Sequence, residues 1–258
     1  MDGTQSKNLA PFPSFAAVIV AAGKGLRVGG DTPKQFRLHQ GRPVLEHSVK
    51  ALVDAGASPL VIVAPDGLHP EALSAAGNPS GAITVSGGAT RQASVRAGLE
   101  ALAGLAPERV LIHDAARPHM TEAVIDRLLE ALQSNEGAIP TMPVVDSLAI
   151  VGDDATMSGK AEREKLCRVQ TPQAFRYSAI LKAHRAWSGE PNAGDDAQVL
   201  LASQGSVALV EGDERLKKIT FAEDLMDHAK SAPFRVGQGY DVHRLEEGEE
   251  LWLGGIQL

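Results

Sequence analysis

Residues 15–27 read FAAVIVAAGKGLR, an apolar run that passes directly into a glycine-rich segment. The apolar residues Phe15–Ala22 predict a buried first β-strand. Small residues and glycines after a strand let backbone N–H groups approach an anion closely. Arg27 and, a little further on, Lys34 add two positive charges beside this loop. The stretch therefore predicts a phosphate-binding loop at the end of a strand in an α/β fold.

Two common phosphate-binding motifs do not fit this loop. A dinucleotide fingerprint needs Gly where the chain has Val28, and a P-loop that starts at Gly25 needs Lys where the chain has Asp31. For the glycines alone, a plain glycine-rich turn stays open. With Arg27 and the triplet Pro33–Gln35 added, the loop resembles the signature of sugar and alditol cytidylyltransferases.

The composition is that of a globular protein. Because the net charge is negative, substrate phosphates would have to be bound by individual cationic side chains near the site. The formal net charge is −7 over 258 residues, which argues against general binding to nucleic acids or membrane surfaces. Cys167 is the single cysteine, which excludes an intrachain disulfide and favours a cytoplasmic location. We expect neither a signal peptide nor a membrane span, because no apolar run is long enough.

Strand and helix patterns alternate from residue 15 to about residue 231, after an expected loose tail at 1–14. The predicted strands cover 60–64, 83–85, 110–113, 138–145 and 207–210, and the predicted helices cover 43–54, 91–103, 122–133, 178–187, 195–202 and 222–230. This alternation predicts a three-layer α/β fold with a mostly parallel sheet, and Thr90 and Thr121 as helix caps. The glycine loop, Gly87–Gly88 and Asp114–Pro118 each follow a strand, so we expect one site at one sheet edge.

Residues 147–170 interrupt this alternation. They are polar and show no strong helical period. A plain loop stays open, but the length favours a projecting arm or a functional insertion.

Seven motifs follow one another in a fixed order. They are Ala21-Ala22-Gly23-x-Gly25-x-Arg27, Pro33-Lys34-Gln35, Leu45-Glu46-His47-Ser48, Gly87-Gly88-x-x-Arg91-x-x-Ser94-Val95, His113-Asp114-Ala115-Ala116-Arg117-Pro118, Thr171-Pro172-Gln173 and Lys218-Ile219-Thr220. The set closely resembles the 2-C-methyl-D-erythritol 4-phosphate cytidylyltransferase family over about residues 15–231. The resemblance implies a Rossmann-like nucleotidyltransferase fold. It also implies that an alditol phosphate attacks CTP, with Mg²⁺ and release of pyrophosphate.

The resemblance also implies roles for individual residues. Catalysis would rest on Arg27, Lys34 and Lys218; CTP would be bound by Ala21, Ala22, Gly23, Gly25, Gly88, Ser94 and Asp114; the alditol phosphate would be bound by Arg117, Arg163 and Thr171. The arm at 147–170 would carry Arg163 to the neighbouring subunit's site, which implies a homodimer. Taken singly, the cations could be surface residues, Ser94 a helix cap and Asp114 a turn residue.

Four positions depart from the family pattern. Ala89 stands where Asp is frequent, Ser147 where Thr is usual, Ala149 where Lys is frequent, and Gly194 where Thr is usual. Asp195 and Gln198 resemble a helix capping box, so Asp195 receives no catalytic role.

Residues 234–258 resemble the opening of 2-C-methyl-D-erythritol 2,4-cyclodiphosphate synthases. In that family the Asp and His matching Asp241 and His243 bind a divalent metal, usually Zn²⁺. The third ligand is absent and Gln238 replaces a frequent His, so we expect a fragment of a bifunctional protein without a working second site. An ordinary terminal hairpin is the alternative.

Two other functions stay open. The acceptor could be another alditol phosphate such as ribitol 5-phosphate, although the synthase-like tail favours methylerythritol phosphate. A non-catalytic nucleotide-binding module would need neither Arg27 nor Lys34 nor Lys218, so their presence argues against it.

Overall fold

A computed structural model of the chain describes residues 14–23, 32–225, 247–248, 250 and 252–257. The chain divides into two units, Met1–Met226 and Asp227–Leu258. Several predictions therefore lie outside the described residues: those for the tail at 1–13, Gly25, Arg27, Asp241, His243 and the end of the helix at 222–230.

The strands and helices of the first unit follow the predicted alternation. The strands are β1 (Phe15–Val20), β2 (Leu38–His39), β3 (Arg42–Pro43), β4 (Ala57–Ala64), β5 (Ile83–Ser86), β6 (Arg109–Asp114), β7 (Gly137–Pro143), β8 (Ala149–Val151), β9 (Met157–Lys160), β10 (Cys167–Val169), β11 (Gln173–Arg176) and β12 (Val207–Glu211). The helices are α1 (Val44–Asp54), α2 (His69–Ala75), α3 (Arg91–Ala101), α4 (Glu122–Ala131), α5 (Tyr177–Ala186) and α6 (Asp196–Ala202). Short 3-10 helices cover Lys34–Phe36, Arg163–Lys165, Glu214–Leu216 and Ala222–Leu225.

The main sheet has the order β10-β7-β11-β6-β1-β4-β5, and β12 also pairs with β7. Strand β1 lies parallel to both β4 and β6, so Val18 pairs with Val61 on one side and Ile112 on the other. Strands β10 and β11 run antiparallel to their neighbours. The carboxyl ends of β1, β4, β5 and β6 consequently meet at one edge.

Hydrophobic cores cover both faces of this sheet. Along β1, Phe15, Ala17 and Ile19 join the core with α1, α2 and α4. Ala16 and Val18 point the other way, into the core with α3, α5 and α6. Burying an aliphatic side chain such as Ile19 stabilises the fold by about 1.5–3 kcal/mol. The predicted three-layer α/β fold with a mostly parallel sheet is confirmed.

Several local predictions need correction. Thr121 occupies the N-cap position of α4 without making the capping hydrogen bond, and its hydroxyl instead lies 3.4 Å from the Asp213 carboxylate. Strand β4 begins at Ala57 rather than Leu60, and α2 was not predicted because seven residues show little periodicity. Within residues 147–170, the antiparallel hairpin β8–β9 was not predicted.

The second unit contains a small hairpin among its described residues. Strands β13 (Trp252–Leu253) and β14 (Ile256–Gln257) pair antiparallel, and the Trp252 indole N–H donates to Glu250 at 3.0 Å. Across the described parts of both units, no helix combines the length and the apolar character needed to cross a membrane.

Candidate active site

A cavity of about 720 Å³ lies at the sheet edge where the carboxyl ends of β1, β5 and β6 meet. Its walls come from Val20–Gly23 after β1, Gly88–Arg91 after β5 and Asp114–Ala116 at the end of β6. Lys34 and Lys218 line it from two further segments. Segments distant in the chain thus meet where parallel sheets bind ligands.

Gln35 anchors the loop that follows β1. Its side chain is buried, and its amide donates to the carbonyl of Gly23 at 3.1 Å and to the carbonyl of Ala21. The Ala21 N–H in turn donates to Val63 O at 2.8 Å. The start of the glycine-rich loop is therefore tied both to the sheet and to the short helix that carries Lys34.

The loop after β5 is shaped by its glycines and by the start of α3. Thr90 caps α3 by accepting the Ala93 N–H at 3.1 Å. The Gly88 N–H donates to Ser94 Oγ at 3.1 Å, and the Ser94 hydroxyl donates to Thr90 O at 2.9 Å. A Cβ on Gly88 would lie 2.6 Å from Ala93 Cβ, so this tight approach requires glycine.

Asp114 is held between two cations. Its Oδ1 accepts from Arg91 Nε at 2.9 Å and its Oδ2 from Lys218 Nζ at 2.7 Å. Burial alone would raise the pKa of Asp114, but the charges of Arg91 and Lys218 outweigh it and hold this pKa well below its ordinary value. The carboxylate is therefore ionised at neutral pH, beside the cavity.

A buried histidine and threonine support Asp114 from behind. Thr171 Oγ1 accepts the Asp114 N–H at 3.1 Å and lies 3.2 Å from His113 Nδ1. The other ring nitrogen, His113 Nε2, lies 3.0 Å from Arg117 O. This pattern fits a neutral ring with its proton on Nε2, and burial lowers the pKa of His113 to about 4.

Lys34 lines the cavity from a segment that is far in sequence from Lys218. Its Nζ donates to the carbonyl of Ile219 at 2.8 Å, which ties the first quarter of the chain to the segment that carries Lys218. Two ammonium groups on separate segments therefore border one cavity.

The structure brings most of the described predicted residues together. Those that line the cavity are Ala21, Ala22, Gly23, Lys34, Gly88, Ser94, Asp114 and Lys218. As the described residues define it, the cavity is not lined by Arg117, Arg163 or Thr171. Thr171 is buried behind Asp114, and Arg117 Nη1 donates to Leu216 O at 2.6 Å.

Arg163 lies in the arm. Its guanidinium is half exposed and donates to Val145 O at 2.9 Å and to Glu164 at 3.2 Å. It shares a surface recess with Pro143–Val145 and Leu166 rather than the cavity. A role for Arg163 in substrate binding stays a prediction.

Sequence reasoning missed three residues of the site. Gln35 and Arg91 stand in quoted motifs without a role, and Asp196 has no predicted role. Asp196 is fully buried and accepts from Arg91 Nη1 at 2.9 Å. Adjacent carboxylates at 195–196 carried no signal beyond helix capping.

The capping signal at the start of α6 is borne out with one difference. Asp195 accepts the Gln198 N–H at 3.0 Å, as in a capping box. The Gln198 side chain accepts from the Gly194 N–H at 3.1 Å, one residue before the usual partner.

The side chains at the cavity suit a magnesium ion that is held jointly by the protein and by substrate phosphates. Among the described residues, no group of three His, Cys, Asp or Glu side chains is arranged to hold a metal. Magnesium is commonly bound through one or two carboxylates together with substrate phosphates and water. The ionised carboxylate of Asp114 fits that arrangement.

Comparison with known proteins identifies relatives of the first unit. A family model described as IspD, 2-C-methyl-D-erythritol 4-phosphate cytidylyltransferase, matches residues 15–231. The bifunctional enzyme IspD/IspF of Erythrobacter litoralis is 59% identical over 248 residues. That alignment covers 96% of this chain and 64% of the relative, so the chain spans slightly less than two thirds of such curated relatives.

Solved structures share the fold. The crystal structure of 2-C-methyl-D-erythritol 4-phosphate cytidylyltransferase from Thermus thermophilus is 36% identical with a TM-score of 0.65, covering 82% of this chain and 95% of that one. The bifunctional IspDF from Campylobacter jejuni is 26% identical with a TM-score of 0.71, covering 83% of this chain and 53% of that one. The predicted resemblance and the Rossmann-like nucleotidyltransferase fold are confirmed.

Proposed function

Because the chain belongs to the 2-C-methyl-D-erythritol 4-phosphate cytidylyltransferase family, we propose that it transfers a cytidylyl group from CTP to 2-C-methyl-D-erythritol 4-phosphate. The products are 4-diphosphocytidyl-2-C-methyl-D-erythritol and pyrophosphate. The observation that carries the proposal is the single cavity where two lysines, an ionised aspartate and two glycine-rich loops converge.

The chemistry requires stabilisation of negative charge. An oxygen of the alditol phosphate forms a bond to the α-phosphorus of CTP while the bond from that phosphorus to the bridging oxygen breaks and pyrophosphate leaves. The substrate phosphate is itself the nucleophile, so no protein nucleophile is needed. Lys34 and Lys218 supply positive charge from opposite segments, and by family resemblance Arg27 adds a third cation.

The glycine loops hold the nucleotide. Gly23, Gly88 and their neighbours present backbone groups where a side chain would block close approach. The hydroxyl of Ser94 is already bonded to Gly88 and Thr90, so Ser94 fixes the loop whose backbone reads the cytosine. The absence of Asp at position 89 agrees with recognition through backbone groups.

Asp114 is the residue that would hold Mg²⁺ together with the triphosphate. When bound there, the ion would neutralise phosphate charge as the pyrophosphate leaves. Arg91 and Lys218 keep the carboxylate ionised, and Thr171 and His113 fix its backbone.

The arm supports a homodimer. Its exposed apolar side chains include Leu148, Ile150, Val151, Met157 and Leu166. Val151 and Met157 are paired across the β8–β9 hairpin, and grouped exposed apolar side chains are typical of protein interfaces. A partner's arm would bring Arg163 to the alditol phosphate, which agrees with the absence of Arg163 from the described lining of this chain's own cavity. By family resemblance we also propose that Arg117 and Thr171 bind the alditol phosphate, and the expected location is the cytoplasm.

The proposed transfer rests on the first unit, and residues 234–258 add no second activity to it. Asp241 and His243 would supply two protein ligands to a divalent metal such as Zn²⁺, and a zinc site needs at least three protein ligands.

A pyrophosphate-release assay tests the proposed function and its alternatives together. The protein is incubated with CTP, Mg²⁺ and either 2-C-methyl-D-erythritol 4-phosphate, ribitol 5-phosphate or no acceptor. Release that is fastest with methylerythritol phosphate supports the proposal. Faster release with ribitol phosphate would favour the other acceptor, and no release despite CTP binding would favour a non-catalytic module.

A further inference from the structure

A series of hydrogen-bonded side chains runs from the interior to the cavity. His184 on α5 contacts Asp196 at 3.2 Å, Asp196 accepts from Arg91 at 2.9 Å, and Arg91 donates to Asp114 at 2.9 Å. Lys218 is the last member of the series, and its Nζ lies 2.7 Å from Asp114. The proposed reaction gives roles to Asp114, Lys218 and Arg91, and leaves Asp196 and His184 without one.

Hydrogen bonds hold both the carboxylate and the backbone N–H of Asp196. Its side chain is 1% exposed, and its backbone N–H donates to Gln173 Oε1 at 3.1 Å. The same Gln173 oxygen accepts the Ala197 N–H at 3.2 Å. His184 and Arg91 hold the two carboxylate oxygens. Burying an unpaired charge is energetically costly. The Asp196 carboxylate therefore favours the arrangement in which His184 and Arg91 both stay bound to it.

Arg91 bridges two carboxylates with two different nitrogens of its guanidinium group. Its Nε bonds Asp114 and its Nη1 bonds Asp196, both at 2.9 Å. Its Nη2 is buried and has no hydrogen-bond partner in the described structure. A guanidinium is planar and rigid, so two carboxylates on different nitrogens fix its orientation completely.

We infer that Asp196, supported by His184, is a positioning residue for the cytidylyl transfer: it orients Arg91, and Arg91 orients the carboxylate of Asp114. The inference rests on the proposed function and extends it to residues that do not touch the substrates. Without the negative charge of Asp196, Arg91 would depend on Asp114 alone, in competition with Lys218. The carboxylate would then turn toward Arg91 and away from the position that the nucleotide and Lys218 require.

Asp196→Asn is the direct test, and Asp195→Asn is its matched control. Asp195 is the neighbouring residue, caps the same helix and does not contact Arg91, and Asn caps nearly as well as Asp. We expect Asp196→Asn to lower kcat/KM for CTP by at least about 10-fold, because misplacement by a fraction of an ångström is costly in an active site. Asp195→Asn should leave both kcat/KM and the melting temperature unchanged, and the activities are compared at a temperature where both variants are folded.

A double-mutant cycle shows whether Asp196 acts through Arg91. Adding Asp196→Asn to Arg91→Met should cause little further loss beyond Arg91→Met alone. Losses in kcat/KM that multiply would overturn the inference, as would an Asp196→Asn variant with full activity. If Asp196→Asn does not fold, Arg91→Lys replaces it: the charge remains but one ammonium cannot bridge both carboxylates, and the same fall is expected.

The wild-type protein in the same assay separates this inference from the proposed function. Wild-type turnover with an unimpaired Asp196→Asn variant overturns the inference alone. A wild-type protein without turnover refutes the proposed function. In that case calorimetry compares the CTP affinities of the wild type and Asp196→Asn, and equal affinities overturn the inference as well.

Discussion

Replacing Gly88 with alanine should weaken the proposed nucleotide site through a known steric conflict. The added Cβ would lie 2.6 Å from Ala93 Cβ and 3.3 Å from the Ala93 carbonyl carbon. Carbon atoms pack at about 3.5–4.0 Å, so the loop has to move by about 1 Å. That movement would stretch the 3.1 Å hydrogen bond from the Gly88 N–H to Ser94 Oγ.

The expected size of the effect follows from this displacement. Overpacking of this kind costs about 1–3 kcal/mol. In a protein of this size that corresponds to a fall in Tm of roughly 5 °C. Misplacement of a binding loop by about 1 Å can lower kcat/KM for CTP by up to about 100-fold. Thermal unfolding and steady-state kinetics with CTP as the varied substrate measure the two effects.

Gly104→Ala is the matched control for Gly88→Ala. Its Cβ would meet no atom within 4 Å, and neither glycine has a positive φ, so the backbone conformation accepts alanine at both positions. The control should keep both Tm and kcat/KM. If Gly88→Ala behaves like Gly104→Ala in both measurements, the packing argument for this loop is wrong.

Further predictions concern catalysis, assembly, pH and the tail. Lys34→Ala should lower kcat by about 10²-fold or more while changing CTP affinity much less, because its charge acts where negative charge develops; turnover near the wild-type level would remove it from the mechanism. Mixing Arg163→Ala with Lys34→Ala subunits should restore part of the activity, since a mixed dimer holds one site with both residues intact; no recovery after proven subunit exchange would place each site within one chain. The metal-free protein should gain about 2–3 kcal/mol of unfolding free energy from His113 between pH 4 and pH 6.5, where the unfolded chain binds a proton that the folded chain does not; urea titrations of His113→Gln should lack this contribution. Zinc calorimetry should show weak binding by the tail, and stoichiometric submicromolar binding lost in an Asp241→Ala/His243→Ala variant would contradict the two-ligand interpretation.

The fold and the cavity walls were predictable because they follow from local sequence. Glycine-rich or polar segments directly after apolar strands mark the carboxyl ends of those strands. In a parallel sheet these ends meet, so the loop after β1, Gly88 and Asp114 had to lie at one edge. Thr90 was predictable as a cap because its hydrogen bond spans three residues.

The partners inside the site were not predictable because they are distant in sequence. Arg91 and Asp196 lie 105 positions apart, and Lys34 and Ile219 lie 185 positions apart. Nothing in the local sequence distinguishes the buried Asp196 from its capping neighbour Asp195. Thr121 shows the opposite case. Its position in the sequence predicts a helix cap, but its hydroxyl lies against Asp213, which is distant in sequence.

Phosphorus-31 NMR of a reaction mixture tests the proposed transfer most directly, because it observes the bonds that form and break. The protein is incubated with CTP, Mg²⁺ and 2-C-methyl-D-erythritol 4-phosphate. We predict that the alditol monophosphate and CTP signals fall together while a coupled pair of diphosphate-diester signals and pyrophosphate appear in equal amounts. Pyrophosphate without the diester pair, or inorganic phosphate with CDP, would contradict transfer to the alditol phosphate.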